Sequence, residues 1–120
     1  MSIGRIVPNH TVSDRAALER AVEQHRSVLP MEVLMDHGWI VTLGDDRGHQ
    51  VSIMTTDASA PVNPDVSCFL STRQEAEDVL VQAQSAGAEI VHPLTEEPWG
   101  VVRFFYRDAT GLVINVGTHR

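Results

Sequence analysis

The stretch PWGVVRFFYRDATGLVINV, from Pro98 to Val116, decides the fold. Two apolar runs rich in β-branched and aromatic residues flank Asp108-Ala109-Thr110-Gly111, so the segment reads as two strands folded back on a hairpin. The Asp108 side chain can bond the backbone two residues on, and Gly111 supplies the left-handed residue the reversal needs. Both strands are too apolar for a free hairpin. One face must lie under helices, which leaves the other to line a concave surface. Asn115 is a lone amide in the second strand, and the turn sets its neighbours. If Gly111 makes a bulge, Arg103 and Phe105 share the concave face with Asn115, while Phe104 and Tyr106 face the helices. A plain four-residue loop exchanges the two sets. The glycine favours the bulge.

Outward from the hairpin, the same element types recur in the same order. RIVPNHTV (Arg5 to Val12) is β-branched and alternating, as a strand is. SDRAALERAVEQHRSVL (Ser13 to Leu29) shifts to a helical period. Ser13 is placed to cap it, Asp14 to favour the dipole, and Ala17, Leu18, Ala21, Val22 and His25 to share one face. Pro30 stops it. MEVLMDHGWIVTLGDDRGHQVSIMT (Met31 to Thr55) reads as three strands, turning at His37-Gly38 and at GDDRG. TDASAPVNPD (Thr56 to Asp65), with two prolines, is a connector.

The pattern then restarts. VSCFL is a short strand. Ser71 or Thr72 caps a helix running to Ala86, Gln74 and Glu75 are available for a capping box, and Gly87 stops the helix. EIVHPL, VVRFFYR and LVINVGT are three more strands. Strand, helix and three strands occur twice, which predicts an α+β fold of two βαβββ modules, near 1–57 and 65–120 of one domain. Helices are expected near Asp14–Arg26 and Arg73–Ala86.

Bulk properties narrow the function classes. The 120 residues are 42% hydrophobic and 21% charged, ordinary for one soluble domain. The net charge of −7 offers no basic patch to displace counterions from a phosphate backbone, so no nucleic-acid partner is expected. The single cysteine, Cys68, excludes an intrachain disulfide. It has no histidine or basic residue beside it in sequence and reads as a small strand residue rather than a nucleophile. MSIGRIVPNH lacks the apolar region of a signal peptide, and no apolar run is long enough to span a bilayer. A cytoplasmic protein without a membrane partner is therefore expected. No residue is assigned a catalytic role.

The chain resembles the vicinal oxygen chelate superfamily, the glyoxalase, bleomycin-resistance and extradiol-dioxygenase group. The resemblance is carried by VPNHTVSD, by MDHGWIVTL and above all by AGAEIVHPLTEEPWGVVRFFYRDATGLVIN. That last stretch is similar to the family's second-module pattern: a helix ending in Ala-Gly, a strand, Pro-Trp-Gly, then a hairpin on Asp-Pro-x-Gly, with Ala109 here replacing the proline. The first half departs from the pattern, with Gln24-His25 near the place of the usual Phe-Tyr pair. The resemblance implies a cup-like, partly open barrel with helices on its convex face, enclosing a small-molecule cavity.

The resemblance also implies four cup-facing positions at which the family's enzymes hold a divalent metal. Laid over this chain, they fall near Val7, Ser52, Ser67 or Cys68, and Asn115. None is histidine or glutamate, so neither a metal nor any other cofactor is expected. Asn115 lies four residues after the turn glycine, where the metal enzymes place their last glutamate. It is either a satisfied buried amide or a direct ligand contact. Of the six histidines, His10 is expected on the helix side of its strand as a core residue, and His92 is the one with a chance of facing the cup.

The expected ligand-binding residues are Asn9, Thr11, Trp39, Met54, Arg103, Phe105 and Asn115, a wall suited to a planar, partly anionic or oxygen-rich organic molecule. Arg103 could instead pair with Glu96 or Glu97. The leading expectation is metal-independent small-molecule binding of the bleomycin-resistance type. The alternative is a glyoxalase-type lyase or isomerase with a diverged site. Open apolar edges lead us to expect a homodimer.

Overall fold

In the computed structural model, which describes residues 2–119, each module opens on a strand and a helix. The first comprises β1 (Arg5–Thr11), α1 (Arg15–Val28), β2 (Glu32–Asp36), β3 (Ile40–Gly44) and β4 (Gln50–Met54). The second comprises β5 (Val66–Phe69), α2 (Arg73–Ser85), β6 (Glu89–Glu96), β7 (Val101–Arg107) and β8 (Val113–His119).

Both helices begin and end for local reasons. Asp14, not Ser13, caps α1: its carboxylate accepts from the Ala17 N–H at 2.8 Å, and Pro30 follows the last turn. The longer carboxylate reaches that amide once Asp14 itself takes the extended cap conformation. Thr72 caps α2, its hydroxyl accepting from the Glu75 N–H at 3.2 Å while donating to the Glu75 carboxylate. At the other end Gly87, with φ of +78°, donates to the Gln84 carbonyl and Ala88 donates to that of Ala83. This pair of reversed bonds satisfies carbonyls that the helix leaves open.

The strands form one eight-stranded mixed sheet in the order β2-β3-β4-β1-β5-β8-β7-β6. Within each module the first strand runs parallel to the last, β1 with β4 and β5 with β8. The modules join where β1 and β5 pair antiparallel. The sheet does not close, and β2 and β6 remain its edges. Pro93 is tolerated in β6 because an edge strand can spare an N–H.

Each helix covers its own module. α1 packs on β3 and β4 over Leu18, Val41, Leu43 and Ile53; α2 packs on β6, β7 and β8, over Leu70, Ala83, Phe104 and Val116. Alternation then sends the intervening residues to the concave side. The β7–β8 hairpin obeys the bulged register. Gly111, at φ +96°, donates to the Asp108 carbonyl, Asp108 N–H donates to Leu112, and Phe105 stands opposite Asn115. Phe104 and Tyr106 accordingly join the α2 core.

His10 departs from expectation: it is exposed, because α1 lies over β3 and β4 and leaves the outer side of β1 uncovered. Among the described residues, no helix is long and apolar enough to cross a membrane.

Candidate functional site

The concave face encloses a cavity of about 260 Å³. Its floor comes from the central strands: Val7 and Asn9 of β1, Ser52 of β4, Ser67 of β5 and Asn115 of β8. Strand pairing makes them neighbours, with Val7 opposite Ser67, Ser67 opposite Asn115, and Asn9 opposite Ser52. Their polar groups bond one another. Asn9 and Asn115 each donate through Nδ2 to Ser67 Oγ at 3.0 Å, and the Ser52 and Thr42 hydroxyls meet at 2.7 Å. Asn115 Oδ1 is shielded from solvent and has no partner.

The two walls meet above this floor. Trp39, just before β3, and Trp99, just before β7, approach edge to face with ring centroids 5.8 Å apart. Arg103 reinforces the same closure. Its Nη1 donates to Asp57 Oδ2 at 2.7 Å and its Nε to Glu97 Oε1 at 3.2 Å, with all three side chains at least 95% buried. Asp57 belongs to the connector and Glu97 follows β6, so one guanidinium ties the two modules together. Its Cζ lies 5.0 Å from the Trp99 ring centroid and 4.8 Å from that of Phe105. Nη2 is buried without a partner. His92, also buried, shares Glu97 Oε1 through Nε2 at 3.0 Å.

Asp57 is held by the connector itself. Its N–H donates to Asn63 Oδ1 at 2.7 Å, and its Oδ1 accepts from the Ser59 N–H at 3.0 Å. Asn63 Nδ2 donates to the Thr55 carbonyl and to Thr11 Oγ1.

A second cluster stands at the open ends of β1, β5 and β8. Arg5 Nη2 donates to His119 Nε2 at 2.6 Å, and its Cζ lies 4.2 Å from the Phe69 ring centroid. The Phe69 and His119 rings stack at 5.2 Å. Accepting from Arg5 requires a neutral His119, and partial burial together with the Arg5 charge lowers the imidazole pKa.

Asn9, Trp39, Met54, Arg103 and Asn115 line the cavity. Two of the expected ligand residues are not part of its wall. Thr11 lies at the exposed end of β1 with its hydroxyl taken by Asn63, and Phe105 is fully buried beneath Arg103 and beside His92. The acidic pairing of Arg103 involves Glu97, joined by Asp57. Glu96 instead meets Arg73 on the surface.

Arg5, Asp57, Phe69 and His119 also line the cavity but were not among the expected site residues. Period two would have found three of them. Arg5 is two residues before Val7, Phe69 two after Ser67, and His119 four after Asn115. Asp57 lies in a connector, where no periodicity reports direction.

The four positions that the resemblance marks for a metal can be tested against a divalent ion. Ser67, not Cys68, faces the cup, since Cys68 packs against the α2 core, where burial pushes its thiol pKa up. Val7, Ser52, Ser67 and Asn115 therefore provide an apolar side chain, two hydroxyls and an amide, with both hydroxyls engaged in protein hydrogen bonds. That set does not fit a divalent cation, which takes imidazole, thiolate or carboxylate donors.

Comparison with known proteins places these features. The family model described as Glyoxalase/Bleomycin resistance protein/Dioxygenase superfamily matches residues 8–116. No curated protein is significantly similar in sequence. Among solved structures, an NAD-dependent benzaldehyde dehydrogenase from Legionella pneumophila superposes with a TM-score of 0.78 at 12% identity, covering 96% of this chain and 99% of that one. Methylmalonyl-CoA epimerase from Mycobacterium tuberculosis gives 0.71 at 16% identity, covering 98% and 89%. A glyoxalase/bleomycin resistance protein/dioxygenase superfamily member from Vibrio splendidus 12B01 gives 0.67 at 17% identity, covering 98% and 99%. At these identities the likeness is one of fold.

Proposed function

The chain belongs to the Glyoxalase/Bleomycin resistance protein/Dioxygenase superfamily, and from that premise we propose that it binds a small planar organic molecule in its cup without a metal ion, in the manner of a bleomycin-resistance-type binding protein. The observation that carries this reading is the paired Trp39 and Trp99 over a floor of amides and hydroxyls. The rings offer flat apolar area, while Asn115 Oδ1 and Arg103 Nη2 retain hydrogen-bonding capacity for whatever enters. The volume of about 260 Å³ suits a ligand of one or two rings.

A lyase or isomerase would need a group free to move a proton at the cavity. Among the described residues the wall's candidates are Asp57, committed to Arg103, His119, which accepts from Arg5, and His37, exposed in the turn before β3 and outside the hydrogen bonds of the cavity floor. Binding is therefore the better-supported reading. The functional unit in this proposal is a homodimer, supported by the exposed apolar side chains of Val28, Leu29 and Val33 on α1, after it and on the edge strand β2.

Both tryptophans of the chain line the cavity, so intrinsic emission reports directly on its contents. Titration with single-ring aromatic amides and acids should give a saturable change that EDTA leaves unaltered. Trp39→Ala should weaken binding about tenfold, the value of one lost ring contact. Stoichiometric zinc, nickel, iron or manganese in protein purified without chelator would overturn the metal-free reading.

A further inference from the structure

The charged groups around the cavity are unequally compensated. Arg103 meets two buried carboxylates, Asp57 at 2.7 Å and Glu97 at 3.2 Å, so its charge has counter-ions inside the protein. Arg5 is different. Its partners among the described residues are the ring nitrogen of His119 and the face of Phe69, both uncharged in this arrangement, and its Nε is buried with no partner. Among the described residues no carboxylate pairs with it, although the chain carries sixteen acidic residues and a net charge of −7. A half-buried guanidinium without a counter-ion is costly unless something supplies one.

From this imbalance we infer that Arg5, with His119 and Phe69 positioning it, is an anion subsite that takes the carboxylate of a small aromatic acid whose ring lies toward Trp39 and Trp99. The inference rests on the proposed binding function and specifies its ligand class. Three observations support it. Arg5, Phe69, His119 and both tryptophans line one cavity, so one molecule can meet all of them. Arg5, Phe69, Gly117 and Arg103 occupy successive strands of a single row, which sets the backbones of the two arginines three strand spacings, roughly 14 Å, apart along the sheet. Arg103 has its counter-ions inside the protein and Arg5 has none among the described residues, so an anion is drawn to the Arg5 end, and this sets the ligand's direction. A single uncompensated positive charge also matches a monoanion better than a phosphate dianion. The guanidinium fork, steadied by the ring beneath it, suits the two oxygens of a carboxylate.

Phenylacetate and phenylacetamide have nearly the same shape and differ in charge, so they isolate the subsite. We expect tryptophan emission to show phenylacetate binding at least about tenfold more tightly than phenylacetamide, the gain of one charge-assisted contact. Arg5→Gln should abolish that preference, and Arg5→Lys should keep part of it. Equal affinities in the unaltered protein, or a preference that survives in Arg5→Gln, would overturn the subsite while leaving cavity binding intact. Failure of both compounds to bind at millimolar concentration would overturn the binding function and the subsite with it.

Discussion

At the scale of single residues, Arg103 is a structural clasp between the two modules. Replacing it with methionine roughly keeps the volume but leaves Asp57 buried without its cation and takes one partner from Glu97. The loss expected in urea denaturation is about 3–5 kcal/mol, the usual cost of breaking one side of a buried ion pair. Adding Asp57→Asn to Arg103→Met should cost less than the sum of the two single changes, because both remove the same interaction. Truncating Arg103 should therefore harm folding as well as any binding. Trp39 and Arg5, both only partly buried, are the cleaner probes of binding.

At the scale of elements, the β7–β8 hairpin decides which residues see the cavity, and Asp108 organises it. Asp108 Oδ1 accepts from the Thr110 hydroxyl at 2.7 Å, the Thr110 N–H at 2.8 Å and the Leu112 N–H at 3.0 Å. These bonds, the Thr110 hydroxyl first, hold the Asp108 carboxyl pKa below its ordinary value. A folded-state pKa lower than the unfolded one contributes stability that is complete above about pH 4 and is lost as pH falls through the folded-state value. Asp108→Asn retains an acceptor and removes the titration. Its thermal midpoint should therefore depend less on pH below about 4 than that of the parent, as scanning calorimetry across that range would show. An equal dependence in both proteins would mean that other carboxylates govern the acid limb.

At the scale of the whole molecule, the cup is held shut across its modules by the Arg103–Asp57 pair and the Trp39–Trp99 contact, while its outer surface keeps apolar side chains exposed. Val28, Leu29 and Val33 are 72, 43 and 41% exposed, and β2 is an edge strand beside them, while Leu34 of the same strand turns to the cavity. Light scattering of the proposed homodimer should return twice the mass of one chain at micromolar concentration. Val28→Glu with Val33→Lys should shift it to the single-chain mass without unfolding it. A single-chain mass for the unaltered protein over a wide concentration range would defeat the dimer.

Local chemistry was enough to determine the order of elements from the sequence. Hydrophobic period, caps at helix starts, Gly87 at a helix end and Gly111 in a hairpin act over a few residues, so they are legible without knowing what packs on them. The same alternation placed Asn9, Trp39, Met54, Arg103 and Asn115 on one concave surface, once the hairpin register was read as bulged. Tertiary structure alone decided which groups that surface would neutralise. Asp57 meets Arg103 from 46 residues away, out of a connector without periodicity, and Arg5 reaches His119 across 114 residues because β1 and β8 both flank β5. Whether a buried arginine is a clasp or an anion subsite depends on its counter-ion, and counter-ions are chosen by proximity in space.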